Sequence, residues 1–129
     1  MKQKVLIVDD DQDTRYIYDE FLSDEGIEVD LAADGMEGFH KILKDGYDLV
    51  ILDIMMPKVD GLDILKKIQA LPDNEPGKKT PIVMLSALDQ QHVVDEAKSL
   101  GAVGFISKSS LTPDQVLVKI REFLHLKKV

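Results

Sequence analysis

The chain has 129 residues, 16 of them basic and 24 acidic, for a net charge of −8; that balance argues against a nucleic-acid binder and against a polybasic membrane-surface protein. Hydrophobic residues make up 44% and charged residues 31%, the composition of one soluble globular domain and not of a disordered chain. No cysteine is present, which excludes disulfides, thiolate metal sites, iron–sulfur clusters and cysteine nucleophiles.

In chain order, short apolar runs alternate with helical periodicity. Residues 5–8, Val-Leu-Ile-Val, form the first run, too short for a signal peptide. No apolar run approaches the ~20 residues that span a bilayer, so a cytoplasmic protein is expected. Residues 12–24 carry Ile17, Phe21 and Leu22 at helical spacing and stop near Gly26. Residues 27–31 alternate apolar and acidic and predict a half-exposed edge strand. A helix over 35–44 carries Phe39, Ile42 and Leu43, and a continuous apolar run follows at 49–52. A helix over 61–71 sets Leu62, Leu65, Ile68 and Leu71 on one stripe. The stretch 72–80, rich in Pro, Asn, Gly and Lys, is read as a solvated loop. A fourth apolar run spans 82–85, a helix with Val93, Ala97 and Leu100 spans 89–100, and a fifth strand is expected over 103–106. The last helix, 113–125, opens Thr112-Pro113-Asp114-Gln115: a cap hydroxyl, a proline in the first turn, and a glutamine three residues after the cap.

Five strand-then-helix units imply an α/β fold, a parallel sheet with helices on both faces. In such sheets ligands bind beyond the carboxyl ends of the strands. The residues at those ends are Asp9, Asp10 and Asp11 after the first strand, Asp53 after the third, Ser86 after the fourth, and Ser107 and Lys108 after the fifth. Two carboxylates ~4 Å apart repel by roughly 4 kcal/mol at an effective dielectric of 20, so the cluster calls for a cation. All-oxygen ligation by one or two carboxylates, waters and phosphate oxygens is the usual Mg²⁺ arrangement. A lysine and a small hydroxyl are then placed to hold the other oxygens of a phosphoryl group. Three histidines, His40, His92 and His125, lie in separate helices without a ligand-spaced partner and read as surface residues. Asp11 and Asp13 read as cap and dipole residues of the first helix, and Asp60-Gly61 as the cap of the third.

At these residues the sequence resembles the receiver domain of two-component response regulators, of the chemotaxis type. The resemblance spans residues 1–129 and rests on Val8-Asp9-Asp10, on Leu52-Asp53-Ile54-Met55-Met56-Pro57 with Asp60-Gly61, on Ser86-Ala87 and on Lys108. It implies a five-stranded parallel sheet in the order 2-1-3-4-5, the flavodoxin-like three-layer sandwich. It further implies that Asp53 is the phosphoacceptor, taking a phosphoryl group from the phosphohistidine of a sensor histidine kinase or a histidine phosphotransfer protein. Mg²⁺ would be ligated by Asp10, Asp53 and the Met55 backbone carbonyl, with Asp9 acting through water. Lys108 and Ser86 would bind phosphoryl oxygens, and Ser86 with Phe105 would form the switch, although Phe105 reads equally as core packing. Output would pass by protein contact through the face of helix 4, strand 5 and helix 5, without nucleic acid or membrane. The chain would not be an enzyme beyond its own aspartyl phosphorylation and slow dephosphorylation. Met55 and Leu88, two residues past the phosphoacceptor and the switch hydroxyl, flank the approach of the attacking water in this family, and neither side chain can orient a water.

The pattern departs from the family at Ser109, where a proline in a cis peptide is usual. A cis bond before a non-proline residue costs ~2.5–4 kcal/mol, so the loop is trans or is held cis by local contacts. No output domain lies within the 129 residues, and a stand-alone receiver is expected, with a piece of a longer regulator as the alternative. Three rival functions fit the residues less well. An Asp-nucleophile phosphatase would want Thr or Val where Asp13 stands. A flavin carrier would want a hydroxyl- and glycine-rich phosphate loop where Asp9–Asp13 stands. An inert receiver-like module would have lost acidic-site residues that this chain keeps.

Overall fold

The structure, a computed structural model, describes residues 2–44 and 46–128. Five strands, β1 (Lys4–Val8), β2 (Glu28–Ala32), β3 (Leu49–Leu52), β4 (Ile82–Ser86) and β5 (Gly104–Ser107), alternate with five helices, α1 (Gln12–Asp24), α2 (Gly35–Lys44), α3 (Gly61–Gln69), α4 (Gln91–Ser99) and α5 (Pro113–Lys128). All strand pairs are parallel, in the order β2-β1-β3-β4-β5. This is the flavodoxin-like order.

β3 and β4 are buried along their whole lengths, as uninterrupted apolar runs in a sheet covered on both faces must be. Alternate residues of β1 feed two apolar layers. Leu6 and Val8 face a layer with Ile42, Ile64, Leu65, Ile68, Val93 and Ala97 from α2, α3 and α4. Val5 and Ile7 face a layer with Tyr18 and Leu22 of α1 and Val116, Ile120 and Leu124 of α5.

Differences from the sequence reading are local. β2 begins at Glu28, not at residue 27, because the Ile27 amide is used to end α1: it donates to Leu22 O, and the Gly26 amide donates to Ser23 O. Gly26 takes φ +81 to close that turn, a backbone region costly for other residues. The parallel ladder then starts with Glu28 donating to Gln3 O. β5 likewise begins one residue late, at Gly104, and runs to Ser107, opposite Ser86. In α1 the buried residue is Tyr18, on the face of Leu22 four residues on, while Ile17, a step of ~100° around the helix, is 41% exposed. α3 stops at Gln69 and α4 starts at Gln91, shorter than expected, and α5 runs past residue 125. The stretch 72–80 is not wholly a solvated loop: Pro76–Lys79 forms a 3-10 turn whose Gly77 is buried against Ile42. The last helix has the expected reciprocal cap, with Thr112 N donating to Gln115 Oε1 and Gln115 N to Thr112 Oγ1.

Candidate functional site

The carboxyl edge of the sheet gathers the acidic residues. Asp9 directly follows β1 and its amide donates to Ala32 O of β2. Its Oδ1 accepts from the Asp11 amide at 2.9 Å, and its carbonyl accepts from the Arg15 guanidinium at 2.6 Å. Asp53 directly follows β3, and its amide donates to Val8 O of β1. Its Oδ1 accepts from the Met55 amide at 3.2 Å. Asp9 is 2% and Asp53 6% exposed, whereas Asp10 is exposed at the mouth. Carboxylate oxygens of the three lie within 4.8 Å of one another.

The turn after Asp53 is fixed by a close backbone approach. Gly61, the first residue of α3, packs so that a Cβ there would lie 2.3 Å from Asp53 O, and its amide donates to Ile54 O at 2.9 Å. Asp60 caps α3 by accepting from the Asp63 amide at 2.9 Å, as the sequence led us to expect. Asp11 does the same for α1, accepting from Asp13 N and from Thr14 Oγ1.

Lys108, just past β5, reaches across to both buried carboxylates. Its Nζ donates to Asp9 Oδ2 at 2.5 Å and to Asp53 Oδ2 at 3.3 Å. Burial alone would pull the ammonium pKa down, but the Asp9 hydrogen bond and the fields of Asp53 and Asp9 outweigh it, and the pKa is raised. The Asp53 pKa is also raised: burial is the largest cause, and the Asp9 charge adds to it, while Lys108 works in the opposite direction. The two directions are consistent because one ammonium, closer to Asp9, serves two carboxylates. Asp53 is left undercompensated.

Ser86 ends β4 and is fully buried. Its Oγ accepts from the Leu88 amide at 3.2 Å, and its carbonyl accepts from the Lys108 amide at 3.0 Å. Among the described residues no hydrogen bond joins Ser86 Oγ to Asp53 or Lys108. Phe105 of β5 stands opposite Met84 and packs against the α2–α3–α4 layer. Met55 is 57% exposed. The Lys108–Ser109 peptide is trans, which resolves the alternative left by the missing proline. His40, His92 and His125 are all exposed.

The donor set suits a hard divalent cation. Every donor is oxygen, two of the carboxylates are buried, and a single ammonium leaves the trio with negative charge in excess. Sequence reasoning missed Arg15, whose contact is with a main-chain carbonyl, and Tyr18, whose hydroxyl pKa is raised chiefly by burial, with Lys108 and Asp9 also acting on it.

Fold and site together define a flavodoxin-like α/β protein with a lysine-bridged acidic site at the carboxyl edge of its sheet. The chain belongs to the response regulator receiver domain family, whose model matches residues 5–121; it is a receiver domain of two-component response regulators. It is 39% identical over 118 residues to the transcriptional regulatory protein DltR of Streptococcus agalactiae, covering 92% of this chain and 50% of that one. The chain thus spans about half the length of those relatives. Against sporulation initiation phosphotransferase F of Bacillus subtilis it is 30% identical, with 98% of each chain covered. Among solved structures, a chemotaxis-type receiver domain protein from Methanospirillum hungatei superposes with a TM-score of 0.86 at 28% identity, covering 99% of this chain and 98% of that one.

Proposed function

We propose that the chain is a phosphoacceptor switch in which Asp53 takes a phosphoryl group from a phosphohistidine of a sensor histidine kinase or a histidine phosphotransfer protein. The observation that carries the reading is the buried Asp53 carboxylate, bridged by Lys108 to Asp9 and within ligand distance of Asp10. One Asp53 oxygen attacks phosphorus as the P–N bond to the imidazole breaks and the ring leaves with the bonding pair. Burial disfavours the ionised nucleophile, and the field and hydrogen bond of Lys108 oppose that tendency. As the acyl phosphate forms, the Lys108 ammonium exchanges a carboxylate oxygen for a phosphoryl oxygen.

Asp10, Asp53 and the Met55 carbonyl are the proposed Mg²⁺ ligands, with Asp9 acting through water. The ion supplies, when bound, the positive charge that lets carboxylates and phosphoryl oxygens share the site. Ser86 Oγ accepts from Leu88 N and donates to no protein group in the described residues, so its proton is available for a phosphoryl oxygen. The inward pull on Ser86 would bias Phe105 and the α4–β5–α5 face, where a downstream protein reads the state. We place the protein in the cytoplasm, consistent with the lack of any helix long and apolar enough to cross a membrane among the described residues. No separate enzymatic activity is proposed.

The test is incubation with a small phosphodonor and Mg²⁺, followed by intact mass measurement. One phosphoryl adduct on the wild type and none on Asp53→Asn is the expected result. A stable adduct on Asp53→Asn at the wild-type rate sinks the assignment.

A further inference from the structure

A hydrogen-bonded bridge beside the acidic site is left unused by the chemistry above. Asp89, in the connection from β4 to α4, accepts with one oxygen, Oδ2, from Ser107 Oγ at 2.6 Å and from Ser109 Oγ at 3.0 Å. The two serine oxygens are themselves 3.0 Å apart. These serines stand on either side of Lys108, whose amide is held by Ser86 O at 3.0 Å. The loop after β4 therefore grips the loop that carries Lys108 through one carboxylate and one main-chain bond.

Asp89 makes this contact at a cost to its own helix. It lies directly before Gln90, the N-cap of α4, yet α4 has no side-chain cap and no acid in its first turn. An acid at a helix start normally serves the free amides and the dipole; here the carboxylate is committed to the two serines, whose hydrogen bonds hold its pKa below the usual carboxylate value. The peptide after Lys108 is trans, and Ser109 lacks the ring that fixes φ in proline. The backbone of the Lys108 loop thus has no proline ring to restrain it, and the Asp89 bridge supplies a hydrogen-bonded restraint from outside.

We propose that Asp89 is a positioning residue for Lys108, clamping Ser107 and Ser109 so that the ammonium and the Ser86 hydroxyl are presented to a phosphoryl group as one unit. The proposal rests on the phosphoryl-binding reading of the site. Asp89 touches neither the reacting atoms nor the proposed metal ligands, so its loss loosens Lys108 without changing the acidic trio.

The test uses beryllofluoride, a phosphoryl mimic, titrated in the presence of Mg²⁺ and followed by fluorine NMR, with Mg²⁺ alone titrated by calorimetry. Asp89→Ala is expected to weaken beryllofluoride binding about three- to tenfold, the span of one to two modest hydrogen bonds, without weakening binding of Mg²⁺ alone. Asp89→Asn, which keeps an acceptor oxygen, should recover part of the loss. The Ser107→Ala/Ser109→Ala variant should match Asp89→Ala, and the triple variant should be no worse than either, since all three residues serve one clamp. Wild-type affinity in Asp89→Ala, losses that multiply in the triple variant, or an equal loss of Mg²⁺ binding would each overturn the proposal. A wild type that neither binds beryllofluoride nor gains a phosphoryl adduct overturns the phosphoryl-binding reading itself.

Discussion

Gly61→Ala isolates the close approach between α3 and the end of β3. The added Cβ would sit 2.3 Å from Asp53 O and 2.9 Å from both Asp53 C and Ile54 Cα. Ordinary carbon contacts lie at about 3.5–4.0 Å, so the Asp53 peptide or the first turn of α3 must move by about 1 Å. Both are backbone, and neither can yield by a rotamer change. Overpacking of this kind costs about 1–3 kcal/mol, and the strained bond from residue 61 N to Ile54 O, now 2.9 Å, adds about 1 kcal/mol. Alanine returns about 1 kcal/mol through helix propensity and a stiffer unfolded chain. The net loss is about 1–3 kcal/mol, which at about 4 °C per kcal/mol for a domain of this size lowers Tm by about 4–12 °C. The functional loss should be larger, because displacing a reacting group by about 1 Å can cost 10²-fold. Circular dichroism melting and phosphorylation from a small phosphodonor read the two effects. Gly46→Ala is the control, since nothing lies within 4 Å of a Cβ there. A Gly61→Ala protein that melts within about 1 °C of wild type and accepts phosphate at the wild-type rate would refute the reasoning.

Asp53→Asn tests the electrostatics without divalent cation. The raised Asp53 pKa, caused first by burial, means that stability is greatest below the unfolded value and is lost as pH rises through the folded one. The variant should therefore melt above wild type at neutral pH, with the gap closing in acid; a gap independent of pH contradicts this. Lys108→Met removes the cation that competes for Asp9 and Asp53, so Mg²⁺ should bind up to about tenfold more tightly while phosphorylation slows. Unchanged Mg²⁺ affinity by calorimetry would show that the lysine does not compete. Met55 and Leu88 offer no group to position the water that cleaves the acyl phosphate, and such help can reach 10²–10⁴-fold. The phosphorylated state should accordingly decay slowly, and Met55→Asn/Leu88→Glu should hasten decay; equal decay would show that these side chains do not set the lifetime.

What was legible in the sequence follows from where the information is local. β3 was bounded correctly because four apolar residues end abruptly at Asp53. Asp9, Asp53 and Lys108 were legible because each directly follows a strand, with Asp10 next to Asp9, and a parallel sheet brings strand ends to one edge. β2 slipped by one residue because the Ile27 amide is consumed by the α1 terminus, a competition invisible to alternation of apolar residues. Helical spacing picks out Ile17 and not the buried Tyr18, because periodicity alone does not say which side of a short stripe faces inward. The Asp89 bridge was hidden for a different reason. Helical periodicity puts residue 89 at the start of the helix expected over 89–100, and only the packed loops show its carboxylate turned toward serines 18 and 20 residues away.

The sheet that separates the two apolar layers also partitions the chain's tolerance of change. Ile64 lies on the α2–α3–α4 side and Ile120 on the α1–α5 side, with the backbone of β1, β3 and β4 between them. Trimming either to valine costs about 0.5–1.5 kcal/mol, and the two losses should sum to within about 0.5 kcal/mol. A pair on one side, such as Ile64 and Met84, shares neighbours and has no reason to sum. The molecule can therefore be repacked one half at a time: substitutions that tune the α4-bearing half can be combined freely with stabilising ones beneath α5, as though they belonged to separate proteins sharing a wall.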